Sequence, residues 1–243
     1  SEESLVPGFF GAQFNADVAI LPAIIEELWL ARDRAKAQGN SALSQAIKIQ
    51  MNACYGVLGS NVCRFYDQNL SGAITLRGHE LLQKTAQWFE SEHGHRVIYG
   101  DTDSVFVWLG DDCQQSDVAQ YGAELADQAN RWLQKHLKQQ YGVESALELQ
   151  YESHFKRFLM PTMRHSEKGT KKRYAGLKKT GSEDQLVFKG LETVRSDWTP
   201  LAKNFQTELL SKIFNNESWR DLVVETTEQL LRGKADHLLI YRR

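Results

Sequence analysis

Tyr99-Gly100-Asp101-Thr102-Asp103-Ser104 is the stretch on which the reading of this chain turns. Two carboxylates stand one residue apart beside a glycine. Val97-Ile98-Tyr99 lead in, and Val105-Phe106-Val107-Trp108-Leu109 lead out. β-Branched and aromatic runs on both sides of a Gly-Asp-Thr break predict a tight antiparallel hairpin. Two acids at its tip repel each other unless a cation is present, so the pair points to a divalent metal held by hard oxygen ligands. Taken alone, Asp-x-Asp also describes an ordinary polar turn.

Upstream lies Lys48-Ile49-Gln50-Met51-Asn52-Ala53-Cys54-Tyr55-Gly56. Lys48, Asn52 and Tyr55 share one face of a helix turning about 100° per residue. A lysine and an amide one turn apart can grip a polyphosphate, the first as a point charge and the second as a directional donor. Tyr55 offers a flat ring suited to a base pair, and Gly56 permits close backbone approach. Downstream, Lys171-Lys172-Arg173-Tyr174-Ala175-Gly176 reads as a basic strand. Between Lys156 and Lys179 the only acid is Glu167, the local charge pattern expected for phosphate contact. Charged strand edges also guard against aggregation, which is the plainer reading of the same residues.

The three motifs, in this order, resemble those of the family B DNA polymerases, with the resemblance strongest to bacterial members. It runs over nearly the whole chain, through Arg157-Phe158-Leu159-Met160-Pro161-Thr162-Met163-Arg164 and the stretch VFKGLETVRSDWTPLA at 187–202. The resemblance implies an α+β fold in which an antiparallel palm sheet carries packed helices and a two-helix fingers hairpin protrudes. It implies an irregular lead-in over 1–17, fingers over 18–60, palm over 61–195 and the start of a thumb over 196–243. It assigns Asp103 as the direct metal ligand and Asp101 as a secondary one, with two Mg2+ ions in a complete site. Arg32, Lys36, Lys48, Asn52 and Tyr55 would receive the nucleotide; Lys171, Lys172, Arg173 and Tyr174 would hold primer-template DNA. The string Ala31-Arg32-Asp33-Arg34-Ala35-Lys36 favours Arg32 over Arg34 for that role. The reaction implied is attack of a primer 3′-hydroxyl on a deoxynucleoside triphosphate. A repair or damage-response (SOS) role, a cytoplasmic and nucleoid-associated location and a sliding clamp bound through other parts follow from the same resemblance.

The remaining features set bounds. The chain has 243 residues and a formal net charge of −2, enough for one large domain or two small ones and no whole-chain basic bias. Cys54, Cys63 and Cys113 have no Cys-x-x-Cys spacing and cannot all pair, which argues against a disulfide scaffold or zinc site and for a reducing compartment. No apolar run approaches membrane-spanning length. Helices are expected at Asp17 to about Ala37, with Ile20, Ile24, Leu28 and Ala31 on one face, then Ser41–Leu58, Asn69–Glu92, Ser116–Gln139, Trp198–Phe214 and Trp219–Leu231. Strands are expected at Leu147–Tyr151, Arg173–Leu177 and Gln185–Lys189. Glu148 or Glu152 is a candidate third acid near the metals.

The family also has an earlier motif, an Asp followed closely by Ser-Leu-Tyr-Pro-Ser, that supplies the other essential metal-binding aspartate. Ser4-Leu5-Val6-Pro7-Gly8 only echoes it. The expectation is therefore a piece of a longer polymerase, inactive alone. Two other readings stand beside it: a non-catalytic domain that binds DNA or nucleotide, and a nucleotide-sugar transferase. The transferase reading leaves the Lys48–Gly56 helix and the Lys171–Tyr174 strand without a use.

Overall fold

A computed structural model describes residues 5–110, 118–162, 172–180 and 183–240, with the side chain of Glu183 outside the description. The fold is α+β, and all strand pairs are antiparallel. Among the described residues the strands form three separate ladders of two, two and three strands. The chain divides into two compact units. Residues 5–110 and 125–149 make the first; 118–124, 150–162, 172–180 and 183–240 make the second.

In the first unit, β1 (Leu5–Pro7) pairs with β2 (Gln13–Asn15), a short ribbon where an irregular lead-in was expected. Helix α1 (Ile20–Ala37) and helix α2 (Ser41–Leu58) pack as a hairpin. Gly39 turns the chain with a φ of 68°, and the Asn40 side chain caps α2 by accepting from the Leu43 amide (3.0 Å). The expected apolar stripe of α1 is not its buried face: Ile20 is 72% exposed and Ile24 44%, whereas Ala35 is buried. The outer part of the stripe is exposed, while Leu28 and Ala31 nearer the turn are half-buried. The helix also starts three residues later than expected, leaving Asp17 and Val18 to the Asn15 side chain, which accepts both their amides.

Helix α3 (Gln68–His93) begins at an Asp67 cap and ends at Gly94, which is left-handed at a φ of 66°. It buries Ala73, Leu81, Thr85 and Phe89, a spacing of four to eight that lines one face. Helix α4 (Val118–Tyr141) answers with Leu125, Ala129, Leu133 and Leu137, four apart throughout. Trp88 of α3 stacks on Trp132 of α4 at 5.7 Å between ring centroids. Leu147–Tyr151, expected as a strand, is not one. The Asn130 side chain takes both hydrogen bonds of Leu149, accepting from its amide at 2.7 Å and donating to its carbonyl at 2.9 Å. An amide side chain has replaced the neighbouring strand.

In the second unit, β5 (Phe155–Leu159), β6 (Tyr174–Thr180) and β7 (Glu183–Lys189) form a meander in that order. Helix α5 (Pro200–Phe214) covers it, and Ala175, Leu177, Leu191, Leu210 and Phe214 make the core. Thr199 caps α5 through the Ala202 amide, with Pro200 at the first helical position. Helix α6 (Arg220–Leu231) follows. The sequence pattern had not singled out β5.

Candidate active site

The expected hairpin is present as β3 (Val97–Asp101) and β4 (Ser104–Val107), with Asp101 opposite Ser104 and only Thr102 and Asp103 at the tip. Its base is tied down: the Glu90 carboxylate of α3 accepts from the Val97 amide (3.3 Å), and the Trp108 amide donates to the Arg96 carbonyl (2.8 Å). Leu82 of α3 backs Gly100, and the Tyr99 and Phe106 rings meet across the strands at 5.3 Å. The turn thus rests on a helix that is itself anchored by four buried residues.

At the tip the backbone is strained. Thr102 has a φ of 47°, a left-handed conformation that a β-branched residue adopts at a cost of about 1–3 kcal/mol. Asp101 accounts for the shape. Its carboxylate accepts from the Thr102 hydroxyl (3.1 Å), its carbonyl accepts from the Ser104 hydroxyl (3.2 Å), and the Asp103 amide turns back onto that same carbonyl. Asp101 is half-buried and organises the turn; Asp103 is exposed. Among the described residues no three His, Cys, Asp or Glu side chains converge as a metal site. Glu148 and Glu152 are both exposed and lie in the two different units.

Lys48, Asn52 and Tyr55 are all exposed along α2. Tyr55 is fixed. Its hydroxyl lies 2.5 Å from that of Thr75 on α3, and Thr75 already donates to the Ser71 carbonyl (3.0 Å), so Tyr55 is the donor. The ring therefore has a set direction although its body is 41% exposed. Nothing in the spacing of the sequence marks Thr75. On α1, Lys36 pairs with Asp33 (3.3 Å). Arg34 donates Nε to the Leu30 carbonyl (3.3 Å) of its own helix, whereas Arg32 carries a buried Nε with no hydrogen-bond partner. The two arginines thus differ in their surroundings, one bonded within its own helix and the other with a buried donor unsatisfied.

Helix α3 carries a polar hub that the sequence did not announce. Arg77 lies against the rings of Phe9 (4.9 Å) and Tyr141 (4.1 Å), donates to Glu80 (2.6 Å) and the Pro7 carbonyl (2.8 Å), and bonds the Tyr141 hydroxyl. Lys84 pairs with Glu80 (2.9 Å) and approaches His136 (3.4 Å). Burial acts to raise the Glu80 pKa, but hydrogen bonds from Lys84 and Tyr141 and the charge of Arg77 outweigh it and hold the group below the usual carboxylate range.

In the second unit, Lys171 lies outside the described residues. Lys172 is exposed with a φ of 60°, and Tyr174 packs against Phe155 and Phe158, the latter at 5.1 Å. Arg173 forms an ion pair with Glu192, which opens a 3-10 turn over Glu192–Val194. Gln206 of α5 donates to the other Glu192 oxygen (2.7 Å) and accepts from the amide and hydroxyl of Thr193 (2.9 and 2.5 Å). Burial acts to raise the Glu192 pKa; Gln206, the residue's own amide and Arg173 together bring it below the ordinary range. Behind the corner, Gly190 is left-handed, and a Cβ there would meet the Lys172 carbonyl at 2.1 Å. Only glycine fits.

Among the described residues no helix is long and apolar enough to cross a membrane. Residues 12–240 match the family model described as DNA polymerase family B. The chain is 49% identical over 241 residues to DNA polymerase II of Escherichia coli K12, covering 99% of this chain and 30% of the relative. It is 34% identical to the DNA polymerase delta catalytic subunit of rice (91% and 20%) and 28% to a DNA polymerase of Thermococcus gorgonarius (100% and 31%). The chain thus spans a third or less of the length of these relatives.

Proposed function

Since this chain belongs to DNA polymerase family B, we propose that it is the fingers-and-palm section of a DNA-directed DNA polymerase, with α1 and α2 as fingers, the two hairpin-bearing regions as palm and α5 onward as the start of a thumb. The observation that carries the reading is the β3–β4 tip: a strained Thr102 that Asp101 organises and that leaves Asp103 exposed. The donor set is hard oxygen, as Mg2+ requires, and the two carboxylates would be part of a two-ion site. When bound, the ions would activate the primer 3′-hydroxyl and stabilise the leaving pyrophosphate.

The chain's own residues do the rest. Asp103 is the direct ligand and Asp101 the residue that holds the turn in shape. Lys48, Asn52, Arg32 and Lys36 bind the triphosphate of the incoming nucleotide. Asp33 is the group that Lys36 must leave to do so, and the unsatisfied Nε of Arg32 gains its acceptor. Tyr55, directed by Thr75, presents its ring to the nascent base pair. Lys171, Lys172 and Arg173 hold DNA through phosphates, contacts that position a duplex without reading its sequence, with Tyr174 supporting the strand from within. A repair or damage-response role in a bacterial cytoplasm, and a sliding clamp bound by other parts, belong to the same reading. Asp101 and Asp103 are the two acids this reading puts at the metal site, and the chain by itself is not expected to turn over. The test is single-turnover primer extension by the full-length polymerase carrying Asp103→Asn beside a DNA-binding titration. Near-normal extension would sink the metal-site reading. A non-catalytic nucleic-acid-binding role would leave DNA binding intact and show no extension even in the unaltered full-length protein.

A further inference from the structure

We propose that Glu192 is a positioning residue for DNA: it holds the Arg173 guanidinium in one orientation, and through Gln206 it fixes that orientation to the first half of α5. The inference rests on the reading of Arg173 as a DNA contact. An arginine fork tied to a carboxylate loses most of its freedom before DNA arrives, so less is lost when it binds. Three observations place Glu192 in this role rather than in plain surface pairing. Its side chain is only 18% exposed, against 40% for Arg173, so the acid is the buried anchor and the arginine the presented end. Both its oxygens are engaged, one by Arg173 and one by Gln206. Gln206 in turn clamps the backbone amide of Thr193, which keeps the 3-10 turn and the helix in register.

The corner on which Arg173 stands is held from behind as well. The left-handed Lys172 lays its carbonyl against Gly190, two residues before Glu192. The basic corner, the turn and α5 therefore form one hydrogen-bonded piece. A duplex held at Arg173 is thereby referenced to the start of α5. Glu192 also subtracts a positive charge from the corner, so it contributes to placement and not to attraction.

That division gives the test. In the full-length polymerase, Glu192→Gln, Arg173→Ala and the double variant are compared for primer-template affinity across a salt series and for single-turnover extension. Glu192→Gln is expected to leave affinity unchanged or tighter while extension slows roughly ten- to a hundredfold, as misplacement of a reacting end does. In the Arg173→Ala background the same substitution is expected to add nothing, since Glu192 acts through Arg173. An equal loss in both backgrounds, or a fall in affinity that matches the fall in extension, overturns the proposal. If Arg173→Ala alone changes neither affinity nor extension, the DNA-contact reading of Arg173 fails, and the proposal falls with it for a separate and visible reason. Gln206→Met guards against a misfolded Glu192→Gln: it removes the tie to α5 while the ion pair stays, and should slow extension by a smaller factor, again only when Arg173 is present. No effect of Gln206→Met on extension removes α5 from the proposal and overturns it as stated.

Discussion

The α1–α2 hairpin and the α3 helix are built to different standards within the same unit. Each helix of the hairpin buries one residue, Ala35 on α1 and Ile47 on α2, and both leave large apolar side chains such as Trp29, Leu30 and Ile49 in solvent. Helix α3 buries four residues, carries the Glu80 hub and holds the base of the β3–β4 hairpin. Few buried contacts and an exposed backbone mean a low local opening energy. The proposed nucleotide-binding residues thus sit on thinly buried helices, while the hairpin that carries the proposed metal ligands is tied at its base to the better-buried α3. The Tyr55–Thr75 hydrogen bond is where the two meet.

The most drastic way to probe the better-buried side is at the hairpin tip. Asp103→Asn in the full-length polymerase keeps size and removes charge; nucleotide addition is expected to fall by several orders of magnitude with DNA binding intact. Asp101→Asn should leave measurable extension, because an amide oxygen can still accept from Thr102. Equal loss from both would make Asp101 a ligand of the same rank.

Stability measurements separate the two elements directly. Leu81→Ala should lower global stability by about 2–5 kcal/mol in chemical denaturation, as large-to-small changes in packed cores do. Ile47→Ala should instead speed amide exchange within α1 and α2 and leave α3 protected. If Ile47→Ala costs as much global stability as Leu81→Ala, the contrast between the elements is wrong.

Lys48→Ala tests the thinly buried side. Charge-assisted contacts to phosphate are worth roughly 1.5–3 kcal/mol, or about ten- to a hundredfold. KM for nucleotide should rise and turnover fall, and unchanged nucleotide titrations would return Lys48 to the solvated surface.

The smallest effect concerns pH. The Glu80 carboxyl is lower in the folded chain than its ordinary value of 4.5, so its ionised form supports the fold above that pH. The support is lost as pH falls from about 4.5 through the folded value. Glu80→Gln should flatten the acid side of the stability curve. An unaltered curve would mean that the hub contributes no pH dependence.

Local signals were legible where they were self-sufficient. The bounds of α2 were readable because Asn40 is a cap and Gly39 a breaker, and α3 came within a residue of its ends. The β3–β4 hairpin followed from two apolar runs around a two-residue tip. What escaped the sequence depends on partners distant along the chain. Leu147–Tyr151 has the composition of a strand, but its central residue is satisfied by an asparagine nineteen positions earlier. Arg77 looks like any helix arginine until Phe9 and Tyr141 come to either side of it. The stripe of α1, exposed at Ile20 and Ile24 and half-buried at Leu28 and Ala31, shows that periodicity tells which residues share a face and not how far it is covered. Of the proposed site residues, spacing put those on α2 along one helix face and the two acids in one turn, while their roles came from the resemblance; Thr75, Glu192 and Gln206 were not singled out, because each acts by holding another residue.

The pair of hydrogen bonds between Asn130 and Leu149 also makes a whole segment depend on one side-chain amide. An asparagine that both accepts and donates can be oriented only one way. Spontaneous hydrolysis of its amide to an acid would keep the oxygen facing the Leu149 amide and turn the other contact into oxygen against oxygen. Of the two bonds between Asn130 and Leu149, one would become a repulsion. An Asn130→Asp substitution should therefore loosen this segment, and faster amide exchange at Leu149 would report it.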